Sequence, residues 1–173
     1  MLHSIGRKAE SENIVDLLLA CHGRIRMFLT LAKAIAEPDA GGREEIVEAT
    51  ERIRRYFLVA LPLHVEDEEQ GVVPRLQDRS PGLDAALDRM CDEHAEHVAP
   101  LRVLLASCDS LAAAPGDARA RAALSRAAEV LGDALEPHLA AEESVVFPAI
   151  RALLTDEEQR AMVIELRRRR QAP

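Results

Sequence analysis

One pattern in this chain occurs twice. His64-x3-Glu68-Glu69-x4-Pro74 aligns without a gap with His138-x3-Glu142-Glu143-x4-Pro148, at an offset of 74 residues. Each proline follows an apolar pair, Val72-Val73 in the first copy and Val146-Phe147 in the second. At nearly the same offset, 72, His22 corresponds to His94. Each half of the chain therefore supplies one lone histidine and then one His-x3-Glu-Glu, so the molecule reads as two copies of one hairpin. Leucine and alanine can repeat through composition alone, but six histidines in 173 residues cannot easily do so.

That hairpin is helical. Alanine and leucine fill 52 positions, against three threonines, three phenylalanines, one tyrosine and no tryptophan, so residues suited to a pleated sheet are scarce outside valine and isoleucine. Apolar residues recur at helical spacing through Ile14, Leu18, Ile25, Leu29, Ala32 and Ile35 until the run from Glu37 to Gly42 breaks the pattern. A second helix carries Ile46, Ile53, Phe57 and Leu61 through His64 towards Pro74, and 79–82 closes it. A third runs from about Leu83 through Met90, His94, His97 and Leu104 to Leu111, and a fourth from near Asp117 through Leu124, Leu131 and His138 to about Leu154. Short connections predict an all-α, up-down-up-down four-helix bundle. Thr155 and Glu158 have the spacing of a capping box, which starts a short fifth helix at about 156–170. One domain accounts for 1–173, with the bundle at about 14–154.

Charge and cysteine usage narrow the function. A net charge of −8 with four Phe/Tyr residues gives neither a field for phosphates nor rings for stacking bases, which argues against nucleic acid. The basic run Arg167 to Arg170 reads as a helix end whose cations oppose the dipole. No stretch approaches a membrane span, and Met1 to Glu10 lacks the apolar core of a signal peptide, so the expected address is cytoplasmic. Cys21, Cys91 and Cys108 have no short spacing and are expected as free thiols.

Residues four apart on a helix lie within about 40° of one another, so His64 with Glu68, and His138 with Glu142, each present a nitrogen and a carboxylate from one face. His22 and His94 fall on the apolar stripes of helices 1 and 3. Four imidazoles and two carboxylates thus converge from four helices on one interior region. Buried together, they ask for positive charge. Imidazole and carboxylate without thiolate suit Fe, Mn or Zn better than Mg or Ca, and six ligands are too many for one tetrahedral zinc. Two six-coordinate ions need about twelve bonds, of which these groups supply roughly eight. Solvent, another protein ligand or a small molecule such as O2 fills the rest.

The arrangement resembles the hemerythrin-like, or HHE cation-binding, proteins, with the resemblance running from about Ile14 to Leu154. It implies a four-helix bundle around a non-haem di-iron centre, with His22, His64, Glu68, His94, His138 and Glu142 as ligands and Glu68 and Glu142 as bridges. The implied function is to bind or react with O2, peroxide or nitric oxide, with Zn or Mn as substitute metals. An oxidoreductase of peroxide or nitric oxide detoxification or iron-centre repair is the alternative, as is a non-catalytic module sensing iron or oxygen. The sequence departs from the oxygen-carrying branch, which has a second histidine four residues after the first on helix 3 and His-x4-Asp on helix 4. Val98 and Glu143 stand at those places.

Other groups carry several readings. His97, three after His94, can complete the ligand set, hydrogen-bond a ligand, or fill the core end of the pocket. Glu69 and Glu143, rotated about 140° from their histidines, are expected as solvated or outer acids rather than ligands. Glu66 and Asp67 are expected as surface charges. Pro74 and Pro148 are expected to kink or restart their helices. Tyr56 is expected on the flank of its helix, with a hydroxyl directed into the pocket as the other reading. Cys91 and Cys108 are expected to pack as small apolar groups. His3 is expected to play no part.

Overall fold

Each helix begins where the sequence supplies an acceptor for its orphan amides. The computed structural model describes residues 13–171, so the expectations about His3 and Met1 to Glu10 fall outside the described residues. Helix α1 is Ile14–Ala36, α2 spans 43–76, α3 is Pro81–Ala113, α4 spans 118–153 and α5 is Asp156–Gln171. Asn13, Ser80 and Asp117 accept from the amides of Val15, Leu83 and Arg119, and Glu45 accepts from Gly42. Thr155 and Glu158 share three hydrogen bonds, two of which close the expected capping box. Such caps are each worth about 0.5–2 kcal/mol. Helix α1 stops before Pro38, with Glu37 held extended (φ −67°, ψ 147°), because the proline ring excludes the helical conformation from its predecessor.

Helix α1 packs against α2 and α4, and α3 packs against the same two, so the four long helices form the expected bundle. Their apolar stripes make two buried clusters. One holds Ile25, Leu29, Ile53, Phe57, Leu104, Leu124 and Leu131; the other holds Leu18, Val72, Leu76, Leu87, Met90, Val146 and Phe147. On every long helix one of the four interior histidines lies in the chain between residues of these two clusters. A polar layer therefore divides the core. No helix among the described residues is long and apolar enough to cross a membrane.

Helices α2 and α4 are not continuous α-helix. A widened π-turn occupies Tyr56–Ala60 and Glu68–Val72 in α2, and Glu142–Val146 in α4. Pro62, Pro74 and Pro148 each stand second in the α-helical segment that follows such a turn. Proline has no amide to donate and its ring presses on the carbonyl four residues back, and the wider turn relieves both demands. Pro74 and Pro148 thus restart their helices, as expected. Glu68 and Glu142 are the first residues of their π-turns.

Helix α5 covers one end of the bundle, burying Met162, Val163 and Leu166 in the second cluster. Here one expectation is corrected. Asp67 is not a surface charge: it is 3% exposed, with Arg169 2.9 Å from Oδ1 and Arg170 2.7 Å from Oδ2. Two of the arginines that sequence assigns to the helix dipole also neutralise a carboxylate 102 and 103 residues earlier in the chain. Glu66, its neighbour, is exposed as expected.

Candidate metal centre

In the polar layer, His22, His64, Glu68, His94, His138 and Glu142 come together, each 8% exposed or less. The imidazoles form two edge-to-face pairs. His22 and His64 have ring centroids 5.1 Å apart, and His94 and His138 4.8 Å apart. Both carboxylates lie between the pairs. Glu68 Oε1 is 3.4 Å from His64 Nε2 and 3.9 Å from His22 Nε2, whereas Oε2 is 3.4 Å from His94 Nε2. Glu142 Oε2 is 3.0 Å from His22 Nε2, whereas Oε1 is 3.0 Å from His138 Nε2 and 3.8 Å from His94 Nε2. Two groups of ligand-type atoms result: His22, His64, Glu68 and Glu142, and His94, His138 and Glu142. No cysteine belongs to either group.

The inward atoms lack what buried polar atoms ordinarily have. Among the described residues, His22 Nε2, His64 Nε2, His94 Nε2 and all four oxygens of Glu68 and Glu142 find no hydrogen-bond partner. Orphaned groups in a dry interior are costly unless something else fills the space between them. A cation of the transition-metal class fits this donor set, and these residues can hold one.

The outward nitrogens are treated differently. His22 Nδ1 lies 2.8 Å from Glu143, His94 Nδ1 3.0 Å from Glu69 and His138 Nδ1 2.9 Å from Glu93. A carboxylate behind an imidazole fixes its tautomer and directs the other nitrogen inward. Glu69 and Glu143 thus take the outer-acid place of the two expected for them. Glu143 is itself held by Arg26, which also grips Glu136. Glu93 escaped sequence reading, since it lies outside the repeated motif and acts across the α3–α4 contact. Its one signal is adjacency to His94. His64 Nδ1 has no hydrogen-bond partner among the described residues.

Without metal, protons do the neutralising. Burial works against a charged His22, but the Glu142 and Glu68 carboxylates outweigh it and raise its pKa to about 10. Burial likewise opposes charge on His64 and His138, yet Glu68 and Glu142 respectively push those pKa values up. Burial by itself would raise the Glu68 carboxyl; His64, His22 and His94 instead hold it well below the usual carboxylate range.

His97 is not among the converging groups. Its Nε2 lies 3.2 Å from the Ala134 carbonyl, its ring stands edge-on to His138, and it lines the cavity beside them. Burial and the neighbouring His138 lower its pKa. The cavity, about 300 Å³, reaches His64, His94 and His138 through a lining of Ile25, Leu61, Leu101 and Leu135. Val98 lines it and offers no ligand atom. Tyr56 is buried, and its hydroxyl donates to the Cys21 carbonyl at 3.2 Å rather than to the site. Cys108 is fully buried in the first cluster and Cys91 packs partly buried against the second.

A family model for the hemerythrin HHE cation binding domain matches residues 13–150. An uncharacterized protein of Haemophilus influenzae is 27% identical over 82 residues, 46% of this chain and 48% of that protein. The chain thus spans about half the length of this curated relative.

Proposed function

The chain belongs to the hemerythrin HHE cation-binding domain family, and from that premise we propose that it is a non-haem di-iron protein that binds or reacts with O2, peroxide or nitric oxide. The observation that carries the reading is the division of each carboxylate. One oxygen of Glu68 and one of Glu142 face His22 and His64, and the other two face His94 and His138. His22 and His64 would hold one ion and His94 and His138 the other, with Glu68 and Glu142 each offering an oxygen to both pairs.

Four imidazole nitrogens and four carboxylate oxygens could supply roughly eight of the twelve or so bonds that two six-coordinate ions would take. About four positions remain for solvent and a small exogenous ligand. When bound, the iron pair supplies redox capacity and open coordination sites. The rest falls to the chain. Glu143, Glu69 and Glu93 orient three of the imidazoles, while Ile25, Leu61, Leu101 and Leu135 line an apolar approach suited to a small uncharged molecule. His97, tied to the Ala134 carbonyl, borders that approach.

Rapid mixing of the anaerobic, ferrous-loaded protein with O2, hydrogen peroxide or nitric oxide tests the reading. It predicts fast metal-centred absorbance changes, slowed or abolished by His64→Ala. Peroxide or nitric oxide consumed over many turnovers assigns an oxidoreductase; a single change reversed by removing the gas assigns carriage or sensing. Reaction without efficient O2 release is expected, because Val98 and Glu143 replace carrier-branch ligand positions. An iron-loaded protein inert to all three contradicts the proposal.

A further inference from the structure

The two halves of the centre are related by the internal repeat, and the relation extends to the groups behind the ligands. Glu69, after Glu68 on α2, backs His94 on α3; Glu143, after Glu142 on α4, backs His22 on α1. These two supports correspond at the 74-residue offset. The third support, Glu93, stands immediately before His94 and backs His138. Its counterpart at the 72-residue offset stands immediately before His22 and is Cys21. Among the described residues no group hydrogen-bonds His64 Nδ1, so no carboxylate stands behind that imidazole. The Cys21 thiol is engaged by Arg24, whose Nη2 lies 3.1 Å from Sγ. The repeat is broken at this one supporting position.

We infer that the two metal positions are inequivalent: the ion held by His94 and His138 binds first and tightly, and the ion held by His22 and His64 binds second and more weakly. The inference rests on the dinuclear reading and deepens it. A carboxylate behind an imidazole increases the basicity of the inward nitrogen and fixes the ring, and loss of such a partner typically lowers metal affinity about 10–100-fold. Among the described residues three of the four imidazoles have that partner, and His64 does not. Glu93 is therefore a positioning residue, and the order of loading follows from Cys21 standing where the repeat would put its counterpart.

Anaerobic titration of the metal-free full chain with Mn2+ reads this order, with bound metal counted by equilibrium dialysis and its environment followed by electron paramagnetic resonance. The first ion should bind about 10–100-fold more tightly than the second. Up to one equivalent the spectrum should be that of isolated Mn2+, and the signal of an exchange-coupled pair should grow only between one and two. Glu93→Gln keeps volume and removes charge, and it should weaken the first ion about tenfold or more while sparing the second. Cys21→Glu, which restores the repeat, should strengthen the second ion and draw the two steps together. Two indistinguishable steps in the unaltered chain, or Glu93→Gln weakening the second ion instead of the first, overturn the inference and leave the dinuclear reading standing. Saturation at one ion per chain overturns the dinuclear reading and this inference with it.

Discussion

Glu68 faces three imidazoles from the first residue of a π-turn, while Glu66, two residues earlier, is exposed. Glu68→Ala or Glu142→Ala should release metal from the iron-loaded protein, and in the metal-free protein should cost about 3–5 kcal/mol, since buried imidazolium is left unpaired. Glu66→Ala should leave metal content and thermal unfolding unchanged. His97→Leu should also retain its metal, because His97 Nε2 is taken by a backbone carbonyl. Elemental analysis and melting curves of these variants check the set, and equal metal loss from Glu66→Ala would show that the face assignment is wrong. At this scale much of the site was legible. Histidine and glutamate four apart on one helix must share a face, and an internal repeat supplied the rest. Glu93 was not legible, because its role depends on which helix of the bundle lies alongside, a fact that periodicity does not encode.

At the scale of elements, two helix starts were legible because Asp117 and the Thr155/Glu158 pair announce themselves, and the end of the first helix because the run from Glu37 to Gly42 breaks the pattern; Ser80 was read only as closing the second helix, whereas it caps the third. The π-turns were not, since widening one turn by a residue leaves the apolar spacing nearly intact. Proline alone is no signal for them: Pro100 and Pro137 lie inside unbroken α-helix. Asp67 was misread for a related reason. Its partners arrive from α5, 102 and more residues later, and only the docking of that helix turns a surface charge into a buried one. This docking should be measurable. A double-mutant cycle between Asp67→Asn and Arg169→Gln should return a coupling of roughly 0.5–3 kcal/mol in unfolding free energy, reduced by the exposure of Arg169. A coupling indistinguishable from zero would mean that the Asp67–Arg169 pair contributes nothing to the docking of α5.

For the whole molecule, a charged layer between two apolar clusters ties stability to protons and to metal. His22 has its pKa raised to about 10, so in the metal-free protein its stabilising contribution is complete below about 6.5 and is lost as pH rises towards 10. Glu68 acts with the opposite sign, its contribution present above the ordinary carboxylate range and lost as pH falls. A metal needs the neutral imidazole, so it must displace that proton. Between pH 6 and 9, metal binding should therefore release protons, apparent affinity should rise, and the gap in melting temperature between loaded and metal-free protein should widen. Calorimetric titration in buffers of different ionisation enthalpy, with melting curves across the same range, checks all three. Pairing in the metal-free state also leaves a rival account, a proton-neutralised network with no resident metal. The measurement that separates the two most directly is the iron content and Mössbauer spectrum of protein loaded anaerobically with ferrous ion, desalted and then oxidised. The dinuclear account predicts about two irons per chain, magnetically coupled as a bridged ferric pair; no retained iron, one iron, or two uncoupled irons would contradict it.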